Sequence, residues 1–173
     1  MPGSIEGVLV GLVIAAGWSD LRTRRIPNWI TVPGAALGFG LHAYYGGFHG
    51  LLTALAGAAL GLGIFVIFYL TGGMGAGDVK LFGAVGALVG PQALVLVFVF
   101  TGLLGGIAAA GLAAFRGRLR ATLERTRELA VHLGGLRWQE VRATSVAAGP
   151  EALRLPYGVV IAGGTLVSLL LLH

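Results

Sequence analysis

Seven acidic residues occur in this 173-residue chain, and only two are aspartates. Asp20 closes the first apolar stretch, in Trp18-Ser19-Asp20-Leu21-Arg22. Asp78 opens the fourth, in Gly75-Ala76-Gly77-Asp78-Val79-Lys80-Leu81. Two carboxylates meeting at one depth have a definite chemistry. They cannot both ionise easily, so they share a proton. One serves as general base toward a water, while the other, protonated, donates to the carbonyl oxygen of a peptide bond. The pair titrates as a unit. The same residues have a plainer structural use. Asp at a helix N-terminus caps it, which suits Asp78, and Asp20 has Arg22 and Arg24 as nearby salt-bridge partners. A third use is ion or proton binding in a channel, transporter or assembly subunit, because intramembrane acids are functional candidates in that class too. Transporters often carry broken helices in matching pairs. Here the break near Gly72–Gly77 has no counterpart, and both aspartates gather at one face, which favours hydrolysis.

Other chemistries are poorly supplied. There is no cysteine, hence no disulfide framework, thiolate metal site or thiol nucleophile. His42, His49, His132 and His173 are scattered and form no metal motif, so neither metal nor cofactor is expected.

The elements that must position the aspartates follow from composition. Hydrophobic residues make up 56% of the chain, charged residues 11%, and mean hydropathy is +0.88. A soluble domain carries about a quarter charged residues, and disorder requires low hydrophobicity with high net charge. What remains is an all-α polytopic membrane protein. Its 31 glycines suit close helix packing and broken helices. A spanning helix needs about 20 mostly apolar residues. The candidates are Ile5–Ser19, Ile30–Tyr45, Leu51–Leu70, Val79–Val89, Gln92–Phe115 and Pro156–Leu172, with turn signals at Gly46-Gly47, Thr71–Gly77 and Gly90-Pro91. Val79–Val89 is too short to cross alone unless flanking residues extend it or the bilayer thins. Gly7–Gly17 resembles a signal-peptide core, but it lacks a basic start and positive charge follows it, so it reads as a first span.

The net charge of +5 is a topology signal before it is anything else. Arg22, Arg24 and Arg25 follow the first segment, Lys80 follows the third, and eight arginines lie between Arg116 and Arg154. Six spans with the N-terminus outside put all of these on one side, the cytoplasmic one. Two spans separate Asp20 from Asp78, so both fall on that side. The chain reads as one membrane-embedded domain, 1–173, with a cytoplasmic loop at 116–155. Within that loop Arg118–Leu133 has helical apolar spacing and suits an amphipathic surface helix whose arginines meet anionic lipids. A solvated linker and a substrate-docking segment are equally open for it. No nucleic-acid module is present.

The loop before Asp78 reads Gly72-Gly73-Met74-Gly75-Ala76-Gly77. Glycines there permit positive φ and close approach of other chains, and a polar break at membrane depth is tolerated where it lines a cavity. An extended peptide can add its backbone beside such a loop.

These strings resemble a known family. Gly75-Ala76-Gly77-Asp78-Val79-Lys80-Leu81 resembles the GxGD motif of type IV prepilin peptidases, the A24 class of membrane aspartic proteases. Asp20 to Asn28, an Asp six residues before Ile26-Pro27-Asn28, resembles that family's first aspartate motif. Leu155-Pro156-Tyr157-Gly158 resembles the start of its last helix. The resemblance implies Asp20 and Asp78 as the catalytic pair, Gly75 and Gly77 as loop-shaping residues, and Lys80 as a motif member, an interfacial anchor or a tuner of the dyad. It implies cleavage of the basic leader of a prepilin or pseudopilin after a glycine, on the cytoplasmic face of a bacterial inner or an archaeal membrane. The larger members also methylate the new N-terminus and carry a cytoplasmic region with paired cysteines. This chain enters the membrane at once and has no cysteine, so cleavage without methyl transfer is expected. Its size resembles the peptidases of Flp or tight-adherence pili, with archaeal preflagellin peptidases a near alternative. Presenilin-like proteases share GxGD but differ around the first aspartate.

Further expectations concern packing. Pro27-Asn28 starts the second helix. Trp18, Trp29 and Tyr69 form one interfacial belt, and Tyr44 and Tyr45 the other. Pro33 and Pro91 bend or start spans. The runs Ala54–Gly63 and Gly102–Ala114 pack helices closely. His42 and His49 lie far from both aspartates, and His132 is solvated.

Overall fold

A computed structural model describes residues 2–70, 73–115 and 156–172. The regular structure there is all helical: α1 (Gly3–Thr23), α2 (Asn28–Leu70), α3 (Ala76–Phe115) and α4 (Tyr157–Leu172). The first three are long and apolar enough to cross a membrane, and α4 is a shorter apolar helix. Large apolar side chains cover the outside, among them Ile14, Trp18, Trp29, Val32, Leu103 and Ile107. So much exposed apolar surface would associate in water and suits a lipid environment. The protein is therefore an all-helical membrane protein. The loop 116–155, the amphipathic helix expected in it and His132 lie outside the described residues, as do Gly72 and His173.

α2 and α3 are each two legs. Gly47 (φ 55°, ψ −138°) and Gly90 (φ 76°, ψ 171°) leave the helical path in a region that side chains disfavour. At each glycine the chain doubles back. Phe82 and Phe98 would stand about 24 Å apart along a straight helix, yet their ring centroids are 6.3 Å apart. A Cβ on Gly50 would run into the His42 carbonyl, eight residues earlier. The expected turns at Gly46-Gly47 and Gly90-Pro91 are thus present. α1, α2 and α3 extend beyond the expected segments, because polar flanks such as Asp20–Thr23 continue the helix, while α4 starts one residue later than expected. Pro91 begins the second leg of α3. Pro33 lies inside α2 without an off-helix dihedral.

The first leg of α3 is the centre of the bundle. Every residue from Leu81 to Gly90 is buried. The expected short segment, Val79–Val89, is enclosed by the other legs and has little need to match a bilayer by itself. Two packing devices hold it. Gly57 on α2 and Gly86 on α3 face each other so closely that a Cβ on either would meet the other's carbonyl. Between helices in lipid, packing replaces the hydrophobic drive, and small residues permit it. Beside that crossing Phe65 stacks on Phe82 (centroids 3.9 Å, planes 15° apart), and Phe98 meets both rings edge-on. At the far end His42 Nε2 donates to the Leu88 carbonyl at 2.9 Å, serving an acceptor next to the Gly90 break. This is the end opposite Asp78.

The expectation for Gly102–Ala114 is met in part. Gly105 approaches Val160 of α4 and Ala113 is buried, but among the described residues nothing lies within 4 Å of a Cβ on Gly102, Gly106 or Gly111. That leg meets α4 along one face only, where Thr101 packs against Gly164.

Candidate active site

Asp20 sits in the last turn of α1. The helix ends because Arg24 takes a left-handed conformation (φ 51°), and its N–H returns to the Asp20 carbonyl at 2.8 Å. Two hydroxyls tie down the turn that follows: Ser19 Oγ donates to the Arg25 carbonyl at 2.9 Å, and Thr23 Oγ1 donates to the Ser19 carbonyl at 2.9 Å. The Asp20 side chain is only 6% exposed. Its Oδ2 accepts the Gly158 N–H at 2.8 Å, with the Val159 N–H contributing. α4 starts after Pro156, whose side chain has no acceptor. The Asp20 carboxylate thus satisfies the free N–H groups of a helix from another part of the chain. The expected Arg22 partnership is not seen, because the Arg22 guanidinium lies over the Trp18 ring, 4.6 Å from its centroid. The charge that attracts Asp20 is Arg24.

Asp78 is the third residue of α3. Its Oδ2 accepts the Gly75 N–H at 3.1 Å, and its own N–H donates to the Gly75 carbonyl at 3.1 Å. This is the return arm of a capping box, made within one loop. Asp78 is half-buried.

Ile26, buried, joins the two. A Cβ on Gly77 would lie 3.1 Å from Ile26 Cβ and from the Ile26 carbonyl, and one on Gly158 would lie 3.0 Å from Ile26 Cδ1. Through this contact the C-terminal end of α1 and the N-terminal ends of α3 and α4 converge. The carboxylates of Asp20 and Asp78 are near enough to repel, and Tyr157 stands in the field of Asp78. Lys80 Nζ donates to Asn28 Oδ1 at 2.9 Å, fastening the start of α3 to the start of α2.

Of the residues singled out from sequence, Asp20, Asp78, Gly75, Gly77 and Lys80 therefore gather at one end of the bundle. The loop glycines meet one half of the expectation, close approach, and among those described none takes a positive φ. Among the described residues only Gly47 and Gly90 are glycines with positive φ. Gly77 is a place of close approach, and Gly75 is an exposed N-cap where a Cβ would meet only Asp78 Oδ2, at 3.2 Å. Ile26, Asn28 and Gly158 lie inside the motifs but gain their place at the site only through contacts that cross between elements. Among the described residues no group of three His, Asp or Glu could hold a metal ion.

A helical membrane bundle with two aspartates converging at one end defines the class. Residues 7–110, which include both aspartates, match the type IV leader peptidase family, and the chain belongs to that family. It is 35% identical over 116 residues to the prepilin leader peptidase/N-methyltransferase of Aeromonas hydrophila, covering 63% of this chain and 40% of that protein. It is equally identical over 118 residues to the like-named protein of Neisseria gonorrhoeae (64% and 41%). The same identity holds over 120 residues with that of Bacillus subtilis (65% and 45%). The chain spans less than half the length of these curated relatives. No solved structure matches it.

Proposed function

We propose that this chain is a membrane aspartic endopeptidase that removes the basic leader of a prepilin-like protein after a glycine, at the cytoplasmic face. The observation that carries the reading is the convergence of Asp20 and Asp78 around Ile26, in a chain of the type IV leader peptidase family. One carboxylate accepts a proton from a water as that water attacks the scissile carbonyl. The other donates its proton to the carbonyl oxygen, and the proton gained by the first goes to the leaving amine. Both carboxylates are held through Oδ2 by backbone N–H groups, which fixes their orientation before substrate arrives. Gly75 and Gly77 shape the Asp78 loop, and Lys80 fastens it to Asn28.

In this reading the legs of α1 to α4 cross the bilayer six times, with the N-terminus outside. The reversals at Gly47 and Gly90 and the one-sided placement of Arg22, Arg24, Arg25 and Lys80 support it. The compartment proposed is a bacterial inner membrane. The relatives' names include a second activity, N-methyl transfer. We assign this chain the cleavage, the step for which it supplies both carboxylates.

The test is co-expression with an Flp-type prepilin, followed by gel shift and N-terminal sequencing. A shorter product starting just after a glycine, made by wild type and by neither Asp20→Asn nor Asp78→Asn, is the expected result. Cleavage by either variant at the normal rate would remove the dyad.

A further inference from the structure

We propose that the first turn of α4 positions Asp20 of the aspartate pair, with Gly158 as the positioning residue. The inference rests on the peptidase reading, and it concerns a helix beyond the residues matched by the family, 7–110. Pro156 precedes the helix and offers no side-chain acceptor, so the first free N–H groups need one from elsewhere. Asp20 supplies it, and the same bond fixes where Oδ2 points. Gly158 is also the position where a side chain cannot be added quietly. A Cβ there would stand 2.9 Å from Asp20 Cβ, 3.0 Å from Asp20 Oδ2 and 3.0 Å from Ile26 Cδ1. Both Gly158 and Asp20 are buried, which leaves little room to yield. Tyr157, one residue earlier, is half-buried and faces Asp78 electrostatically. One turn of α4 therefore holds Asp20 directly, through Gly158.

A simpler account is that α1 and α4 need small residues wherever they touch. Gly17 answers it. It lies on the same interface, and a Cβ on it would meet Ala162 Cβ at 3.5 Å, an ordinary contact. Tight tolerance at Gly158 is therefore local to Asp20 and Ile26.

The test compares the full-length wild type with Gly158→Ala and Gly17→Ala in membranes. One readout is steady-state cleavage of an Flp-type prepilin. The other is carbodiimide labelling of carboxyl groups, read site by site by mass spectrometry. Gly158→Ala is expected to lower kcat by at least about tenfold with KM within about twofold, since a misplaced reacting group affects the chemical step. Gly17→Ala stays close to wild type. Labelling of Asp20 changes in Gly158→Ala, and labelling of Asp78 changes less. Unchanged kcat in Gly158→Ala, an equal loss in Gly17→Ala, or unchanged labelling of Asp20 would each overturn the proposal. A wild type that cleaves no prepilin would fail the peptidase reading instead, and the labelling then decides the positioning role alone. Where Gly158→Ala does not accumulate, Ile26→Val is added, which removes Cδ1 and leaves the clash with Asp20. A stable double variant with low kcat supports the proposal. One with restored kcat, or one that also fails to accumulate, reduces Gly158 to packing and overturns it.

Discussion

Asp20 and Asp78 accept the same kind of hydrogen bond from opposite distances. Asp78 takes the Gly75 N–H, three residues away, at the start of its own helix. Asp20 takes the Gly158 N–H, 138 positions away, at the start of α4. The first arrangement forms as soon as the loop and the first turn of α3 form. The second exists only when α4 has packed against α1. One half of the candidate site is therefore a local motif, and the other is a tertiary contact. The burial follows the same division: Asp20 is closed in by α4, while Asp78 is half-open beside exposed Gly75 and Lys80.

The largest test of this pairing removes charge and keeps shape. Asp20→Asn and Asp78→Asn each retain a side-chain oxygen for the capping N–H, so both variants are expected to fold. Cleavage should fall by at least the factor of about 10²–10⁴ associated with general acid–base catalysis. Gel shift of prepilin measures it, with thermal unfolding in detergent confirming the fold.

Removing the acceptor as well should separate the two aspartates. Asp20→Ala leaves buried N–H groups of α4 without a partner, a loss of about 1–3 kcal/mol. Asp78→Ala opens a half-exposed capping box, closer to about 1 kcal/mol. Thermal unfolding should show the larger drop for Asp20→Ala. An equal drop would mean that the α4 contact contributes no more than the local one.

A smaller contrast lies in the loop glycines. Gly77→Ala presses on the Ile26 backbone and is expected to cost about 1–3 kcal/mol by overpacking, with a matching loss of activity. Gly75→Ala meets only the flexible end of Asp78 and should be milder in stability. If Gly75→Ala proves the worse in unfolding experiments, the loop is held by its own conformation more than by Ile26.

This division also explains what was legible in the sequence. The Asp78 string was readable because its contacts run over a few residues, and the turns at Gly47 and Gly90 were readable because glycine and proline mark chain reversals locally. The partner of Asp20 was not. Arg22 and Arg24 lie nearest in sequence, yet Arg22 stacks on Trp18 and the carboxylate turns to Gly158. Sequence distance is a poor guide where helices cross. The run Gly102–Ala114 makes the same point in reverse: small residues permit close packing, and whether a neighbour is there is decided by the rest of the bundle. Likewise Val79–Val89 looked too short as a span, because hydropathy records how apolar a helix is and not whether its neighbours are lipid or protein.

The smallest expected effect is at Lys80, and its size is informative. The Lys80–Asn28 hydrogen bond is exposed, so its net contribution is about 0.5–1.5 kcal/mol at most. If Lys80 acts only as a strap between α2 and α3, Lys80→Met should lower cleavage by no more than about tenfold. Lys80→Gln, which keeps a donor, should lie nearer wild type. Asn28→Ala should produce a similar loss, and the double variant should be no worse than either alone, because partners in one bond are not additive. A cleavage loss at Lys80→Met of the size seen for general acid–base groups, about 10²–10⁴, with Asn28→Ala near wild type, would instead put the ammonium against the substrate. The half-open side of the pair would then be where the peptide is gripped, and the closed side, at Asp20 and α4, where the chemistry is held in place.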